Sequence, residues 1–266
     1  MQYKLLVLDL DGTLLDEDHQ LTDNTIRVIN SLKKKGIKII IATGRMFVSA
    51  LPFVEQLALK GPVISYNGAY VKDVSTNTVL YHQPLEYSLA REMILTAEKE
   101  GLHINLYQDE MLYVARENIK SRLYEELSGV EARAVGRLSE FISVPPTKLL
   151  IIENEWKKQQ YYLQFFQDKY GDRAEITESE SNFIEIEARE VSKGEALAFL
   201  NRSYFQIERE KIVALGNAWN DYEMIKYAGT GIAMDNSPEE LKEEADMIAP
   251  HHAREGAAEI IADLFS

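Results

Sequence analysis

The run Leu5-Leu6-Val7-Leu8-Asp9-Leu10-Asp11-Gly12-Thr13 sets the tightest limit on how this chain can fold. Its consecutive apolar residues suit a strand covered on both faces, as in a buried parallel sheet. Two carboxylates at alternate positions then end the run, and a glycine follows. Charge placed against a buried strand is costly unless something there requires it. A hard divalent cation together with a nucleophilic task would supply that requirement.

The pattern that follows is an alternation of strands and helices. Strands are expected over residues 4–10, Ile37–Ala42 and Val63–Tyr66, with helices over Thr22–Lys35 and Phe47–Leu59. Thr22 or Asp23 can cap the first helix, and Gly36 ends it. The last quarter resumes the rhythm with helix Lys193–Asn201, strand Lys211–Leu215, helix Asp221–Tyr227, strand Gly231–Met234, helix Pro238–Glu244 and a short Met247–Ala249. Such alternation implies βαβ units on a parallel sheet, an α/β fold.

Residues 84–187 read differently. Helix Ser88–Glu100 precedes strand-like His103–Gln108 and Leu112–Arg116, and a further helix, Asn118–Leu127, follows. After Pro145-Pro146 come strand Lys148–Ile152, helix Trp156–Tyr170 and the runs Ala174–Thr177 and Phe183–Glu187. Helix-strand-strand twice over predicts an antiparallel sheet with helices on one face. The chain therefore divides into a discontinuous core, residues 1–83 and 188–266, and an inserted α+β module, residues 84–187. The aromatic stretch Tyr161–Phe166 is read as packing under the module's sheet.

Composition narrows the function. With 266 residues, 45% of them hydrophobic, the chain can bury a core and a second module. It has no cysteine, which removes disulfides, thiolate metal sites and thiol nucleophiles and suits a cytoplasmic setting. No stretch reaches the roughly 18 apolar residues of a membrane span, and no signal-peptide pattern opens the chain. A net charge of −14 argues against nucleic-acid or anionic-membrane partners. The only basic run, Lys33-Lys34-Lys35, ends a helix where cations suit the dipole. An anionic substrate must therefore be met by local positive charge. His251-His252 lacks a second cluster of zinc ligands, and His19 can approach the site from the first loop, though a surface role is the plainer reading.

Placed on this scheme, the polar residues converge. Asp9 and Asp11 follow the first strand, Thr43-Gly44-Arg45 the second and Asn67-Gly68 the third. Gly216-Asn217-Ala218-Trp219-Asn220-Asp221 follows the strand after the insertion, and Lys193 opens a helix just beyond it. The four segments lie at strand carboxyl ends, where open α/β sheets bind ligands. Each alone has a plainer reading: a strand-ending aspartate as a turn former, Thr43-Gly44 as a turn, Lys193 as a solvated helix residue. Calcium loops share the Asp-x-Asp-Gly spacing, but they need further oxygen ligands between two helices.

Asp9-Leu10-Asp11-Gly12-Thr13, Thr43-Gly44-Arg45, Ser192-Lys193-Gly194 and Gly216-x-x-x-Asn220-Asp221 resemble, in order, the four motifs of haloacid dehalogenase-like phosphatases. The Asn67-Gly68-Ala69 turn and the insertion after the third strand resemble the Cof-like branch, with its inserted α/β cap of type C2B. The resemblance implies a Rossmann-like core with a cap that governs substrate specificity. It also implies a phosphatase that hydrolyses small phosphorylated metabolites, above all sugar phosphates, through an aspartyl-phosphate, with Mg²⁺ as cofactor.

By the same resemblance, Asp9 is the nucleophile and Asp11 the general acid and base. Leu10, Thr43, Gly44, Lys193 and Asn220 hold the phosphoryl group. Asp9, Asp11 (through its backbone carbonyl), Asn217 and Asp221 serve the metal, with Asp221 supporting it through water or orienting Lys193. Arg45 is left between facing the phosphate and pairing with a carboxylate; with Asn67 it is a candidate for substrate specificity. One position departs from the motif, which normally carries aspartate where this chain has Asn217. A unit charge pair at 4 Å is worth about 4 kcal/mol at an effective dielectric near 20, before desolvation. Weaker magnesium binding is expected, unless Asp221 or water compensates. Two rivals stay open: a phosphomutase or phosphotransferase, and a catalytically weakened sensor of a phosphorylated metabolite.

Overall fold

The computed structural model describes residues 3–179 and 182–266. Strand β1 (Leu5–Leu8) leads into helix α1 (Asp23–Lys34), β2 (Lys38–Ile41), α2 (Phe47–Gln56), β3 (Pro62–Ser65), β4 (Tyr70–Asp73) and β5 (Thr78–His82). Next come α3 (Tyr87–Lys99), β6 (His103–Gln108), β7 (Met111–Val114), α4 (Ile119–Ser128), β8 (Ala132–Ala134), α5 (Leu138–Phe141), β9 (Lys148–Ile152), α6 (Trp156–Tyr170), β10 (Ala174–Glu178) and β11 (Phe183–Ala188). The chain closes with α7 (Lys193–Leu200), β12 (Ile212–Gly216), α8 (Tyr222–Tyr227), β13 (Thr230–Met234), α9 (Glu239–Glu244), β14 (Met247–Ala249) and α10 (Gly256–Leu264). These elements form two compact units, Met1–Tyr81 with Ser192–Ser266, and His82–Val191.

In the first unit, β14-β13-β12-β1-β2 make a parallel five-stranded sheet. All four residues of β1 are fully buried, as its unbroken apolar run requires. Leu5 and Val7 pack with Ile40, Ala214, Leu197 and Met224 on one face, and by strand alternation Leu6 and Leu8 point to the other. Thr22 caps α1, its side chain accepting from the Thr25 N–H at 3.1 Å, and Gly36 follows the helix at φ +80°.

The third strand does not join that sheet as expected. β3 pairs antiparallel with β4 in a separate sheet, β3-β4-β5, and meets the end of β2 through one parallel bridge, Ala42 to Ile64. The reason is the tight turn Tyr66–Gly68, which sends the chain straight back along β3 instead of into a crossover helix. Strands β4 and β5 and helix α10 were not anticipated from the sequence. The β4–β5 turn carries a signal for one, because Asp73 accepts from the Ser75 and Thr76 N–H groups.

The second unit is a six-stranded sheet, β10-β11-β9-β6-β7-β8, antiparallel except for the β7–β8 pair. Ile104, Leu106, Leu149, Ile151, Ile184 and Ile186 share one face and pack against Met93 and Ile94 of α3 and Phe166 and Tyr170 of α6. Within the aromatic stretch of α6, Tyr162 and Phe165 also lean on this core, while Tyr161 is exposed. Short β8 and α5 went unrecognised in sequence, being too brief to show a period. Among the described residues, no helix is long and apolar enough to cross a membrane.

On the other face of β6, His103 ties the strand to α4. Asn118 caps α4 through its carboxamide oxygen, and its Nδ2 donates to His103 Nδ1 at 2.9 Å. His103 Nε2 then donates to Asn105 Oδ1 at 3.0 Å, a pattern that needs the neutral ring. Burial, reinforced by Lys120 and Arg116 against the Asn105 bond, pushes His103 from 6.5 down to about 4. Folding thus favours the neutral imidazole, so its contribution is complete above about pH 6.5 and lost as pH falls towards 4. Urea midpoints should drop across that window, and less steeply in His103→Gln. Equal slopes for the two proteins would contradict this account.

Candidate active site

The site is built at the carboxyl end of the parallel sheet. Asp9 continues β1 by one residue, its N–H donating to Leu215 O at 3.1 Å, so its carboxylate leaves the sheet beside the end of β12. The chain then turns tightly through Gly12 at φ +72°, and the Leu15 N–H closes the loop on Leu10 O at 3.0 Å. Gly12 is required twice over: its φ is left-handed, and a Cβ there would stand 2.4 Å from the Asn217 side chain. Leu10 buries its side chain completely, which leaves only its backbone to face a ligand.

Lys193 begins α7, whose start Ser192 caps, and its ammonium lies between two carboxylates. Nζ donates to Asp9 Oδ1 at 2.7 Å and to Asp221 Oδ1 at 2.6 Å, with all three side chains buried. Asp221 Oδ2 accepts from the Asn217 and Ala218 N–H groups at 2.9 and 3.1 Å. Both oxygens of Asp221 are thereby taken by nitrogen donors, an arrangement that aims Lys193 at Asp9. Burial, with the Asp221 charge added, outweighs Lys193 and pushes Asp9 from 3.8 up to about 7. The Lys193 ammonium is held above its usual range: burial opposes its charge, but Asp221 and Asp9 overcome that penalty. Two carboxylates against one ammonium leave this buried cluster short of positive charge.

Asp11 has a separate set of partners. Arg45 grips it bidentately, Nε to Oδ2 at 2.7 Å and Nη2 to Oδ1 at 2.6 Å, and His19 Nδ1 lies 3.2 Å from Oδ1. Burial raises the Asp11 pKa, but the hydrogen bonds and charge of Arg45, then His19, outweigh it and hold the carboxyl below its usual value. Of the two readings left open for each, Arg45 pairs with a carboxylate and His19 reaches the site from the first loop.

Thr43, Gly44, Asn67 and Asn220 form a third group. Thr43 is buried, its hydroxyl accepting from the Arg45 N–H at 3.1 Å. Asn220 Nδ2 donates to Asn67 Oδ1 at 2.9 Å. Two further residues buttress the Asp9–Thr13 turn without any signal in the sequence. Asn236 Nδ2 donates to Gly12 O at 2.9 Å, and His252 Nδ1 meets Leu15 O at 3.0 Å. Neither belongs to a recognisable motif, and only the fold brings them to that turn.

The Asn217 carboxamide meets the Asp11 carbonyl oxygen at 2.7 Å, Thr13 Oγ1 at 2.9 Å and Asp9 Oδ2 at 3.2 Å, and with its NH₂ turned to them it donates to all three. With its oxygen turned to them instead, the Asp9, Asp11 and Asn217 oxygens stand roughly the 3 Å apart of an octahedron of oxygens at 2.0–2.1 Å, a set that suits a small hard ion. Among the described residues, no group of three or more acidic, histidine or cysteine side chains makes a metal site. The oxygen set at the turn carries one carboxylate, one peptide carbonyl and one carboxamide.

Comparison with known proteins gives a consistent result. A sequence model of haloacid dehalogenase-like hydrolases matches residues 6–261. The chain is 27% identical to the 5-amino-6-(5-phospho-D-ribitylamino)uracil phosphatase of Bacillus subtilis, over 98% of this chain and 97% of that protein. It is 26% identical to the pyridoxal phosphate phosphatase of Escherichia coli, over 98% of each. A haloacid dehalogenase-like hydrolase structure from Bacteroides thetaiotaomicron superposes with a TM-score of 0.92 at 26% identity, covering 99% of this chain and 100% of that one.

The ion cluster makes a stability prediction. Lys193→Met leaves Asp9 and Asp221 buried without their counter-ion and should cost about 3–5 kcal/mol in urea unfolding. A loss below about 1 kcal/mol, the level of an exposed pair, would contradict the reading of a buried cluster.

Proposed function

This chain belongs to the haloacid dehalogenase-like hydrolases, and on that premise we propose a magnesium-dependent phosphomonoesterase that works through an aspartyl-phosphate at Asp9. The observation that carries the reading is Lys193, its ammonium between Asp9 and Asp221 at 2.7 and 2.6 Å. Such an ammonium holds a nucleophilic carboxylate in place and offers positive charge to an incoming phosphoryl oxygen. Membership of the family supports a phosphatase; the assignments that follow carry the motif resemblance onto residues that the strand-end loops bring together.

An Asp9 oxygen attacks phosphorus while the bond to the leaving oxygen breaks, and Asp11 delivers a proton to that oxygen. Water then attacks phosphorus, Asp11 takes its proton, and the Asp9–phosphorus bond breaks to release inorganic phosphate. The first step needs Asp11 protonated, so Arg45 must loosen its bidentate hold before the leaving group departs. Thr43, the Gly44 N–H, the Leu10 backbone, Lys193 and Asn220 supply fixed donors to the phosphoryl oxygens. Asp221 orients Lys193. The Asp9, Asp11 carbonyl and Asn217 oxygens would hold Mg²⁺, which supplies Lewis-acid stabilisation of the developing charge when bound.

The unit His82–Val191 is assigned the role of a cap that recognises the leaving group. Its substrates are small phosphorylated metabolites, sugar phosphates foremost. Two relatives support that size class, one named for a phosphorylated ribityl compound and one for pyridoxal phosphate. Release of inorganic phosphate distinguishes hydrolysis from transfer to a second acceptor, and tight binding without turnover would mark a sensor.

Asp9→Asn should lower phosphate release by at least about a thousandfold, with unchanged circular dichroism. Activity within tenfold of the parent would contradict the assigned nucleophile. Asn217→Asp restores a charge to the cation's oxygen set and should tighten Mg²⁺, titrated calorimetrically, by about tenfold or more. Unchanged affinity would show that the carboxamide does not limit metal binding.

A further inference from the structure

Tyr66, Asn67 and Gly68 take positive φ in succession, at +49°, +52° and +109°. L-residues avoid this region; asparagine tolerates it best after glycine, and tyrosine does not. The turn is held in that shape by the loops around it. The Tyr66 N–H donates to Arg45 O at 2.9 Å and the Asn67 N–H to Thr43 O at 3.1 Å, one bond on each side of Gly44. Gly68 lies against the residue that caps α7, since a Cβ on it would stand 2.2 Å from Ser192 O. A single strained turn thus touches the Thr43–Arg45 loop and the residue before Lys193.

Its central side chain reaches a third loop. Asn67 is buried, and its carboxamide oxygen accepts from Asn220 Nδ2 at 2.9 Å. The same oxygen would stand 2.8 Å from a Cβ on Gly44, so only glycine lets it lie there undisturbed. A carboxamide NH₂ has two hydrogens in one plane. Fixing one of them on Asn67 fixes the direction of the other.

We propose that Asn67 is a positioning residue of the phosphoryl site, acting through Asn220: its carbonyl oxygen, pressed against Gly44, pre-aims the second Asn220 hydrogen at a phosphoryl oxygen. The inference rests on the phosphatase reading and deepens it. Donors fixed before the reaction need no reorganisation during it, which explains why a strained turn is placed here. It also changes the part expected of Asn67 from the sequence. An oxygen committed to Asn220 tightens the grip on the group common to all substrates and does not choose between leaving groups.

The test is a double-mutant cycle read by inorganic phosphate as a competitive inhibitor of p-nitrophenyl phosphate hydrolysis. Asn67→Gly keeps the left-handed backbone and removes the carboxamide. Alone, it and Asn220→Ala should each weaken inhibition roughly tenfold, the range of a hydrogen bond to a charged group. Combined, Asn67→Gly should add less than about twofold to Asn220→Ala. Across p-nitrophenyl phosphate and two phosphorylated metabolites, Asn67→Gly should lower kcat/KM by a common factor and leave their order unchanged. Multiplicative effects in the cycle, or a reordering of substrates, would overturn the proposal.

A reading on the parent protein covers the case in which Asn67→Gly does not fold. Side-chain amide NMR signals of Asn220, identified by their loss in Asn220→Ala, should show one proton fixed and the other moving as inorganic phosphate is added. No response of either proton would overturn the proposal even where phosphate binds. A parent protein that neither binds phosphate nor hydrolyses p-nitrophenyl phosphate would instead contradict the phosphatase reading, and this inference with it.

Discussion

A lysine ammonium buried between two carboxylates is the interaction on which the rest of the site depends. Asp9 and Asp221 belong to different strand-end loops, and neither could be buried in charged form without Lys193. The ammonium in turn has to arrive on the first residue of a helix pressed close to the sheet. Gly194 lets that helix lie close against α8, because a Cβ there would stand 2.5 Å from Glu223. Lys193 lies 184 residues from Asp9, beyond the whole inserted unit, so the cluster ties together the two chain segments of the first unit.

Two carboxylates separated by one residue are driven in opposite directions. Asp9 is pushed up to about 7 by burial and by Asp221, while Arg45 and His19 hold Asp11 low. Both directions run against the proposed tasks, which need Asp9 ionised and Asp11 protonated, so added positive charge beside Asp9 and release of Asp11 by Arg45 must reverse them. The upward push on Asp9 also expresses the cluster's shortage of positive charge, which the proposed Mg²⁺ would relieve. Asn217 makes this chain's version of that set less negative than an aspartate would.

Much of this was legible in the sequence wherever one local rule dominated. β1 shows as an apolar run, α1 through its Thr22 cap and Gly36 stop, and α6 as a helix with one packed face. The motif residues Asp9, Lys193, Asp221 and Asn217 meet in one cluster because strand-end loops of a parallel sheet converge. The features that stayed hidden depend on contacts distant in sequence. The departure of β3 from the parallel sheet is decided at Tyr66–Gly68, whose conformation follows from backbone bonds to Thr43 and Arg45. The choice of Asp11 as partner for Arg45, and the bracing of Gly12 by Asn236, leave no pattern along the chain.

The proposed mechanism turns on Asp9 itself taking up the phosphoryl group. Borohydride reduces an acyl phosphate to an alcohol, so quenching the enzyme with it during turnover and sequencing the peptides by mass spectrometry tests that claim at a named residue. Homoserine in place of Asp9, formed only when substrate is present, is the predicted result. Substrate-dependent homoserine at Asp11 or at another carboxylate, with Asp9 unmodified, would contradict it.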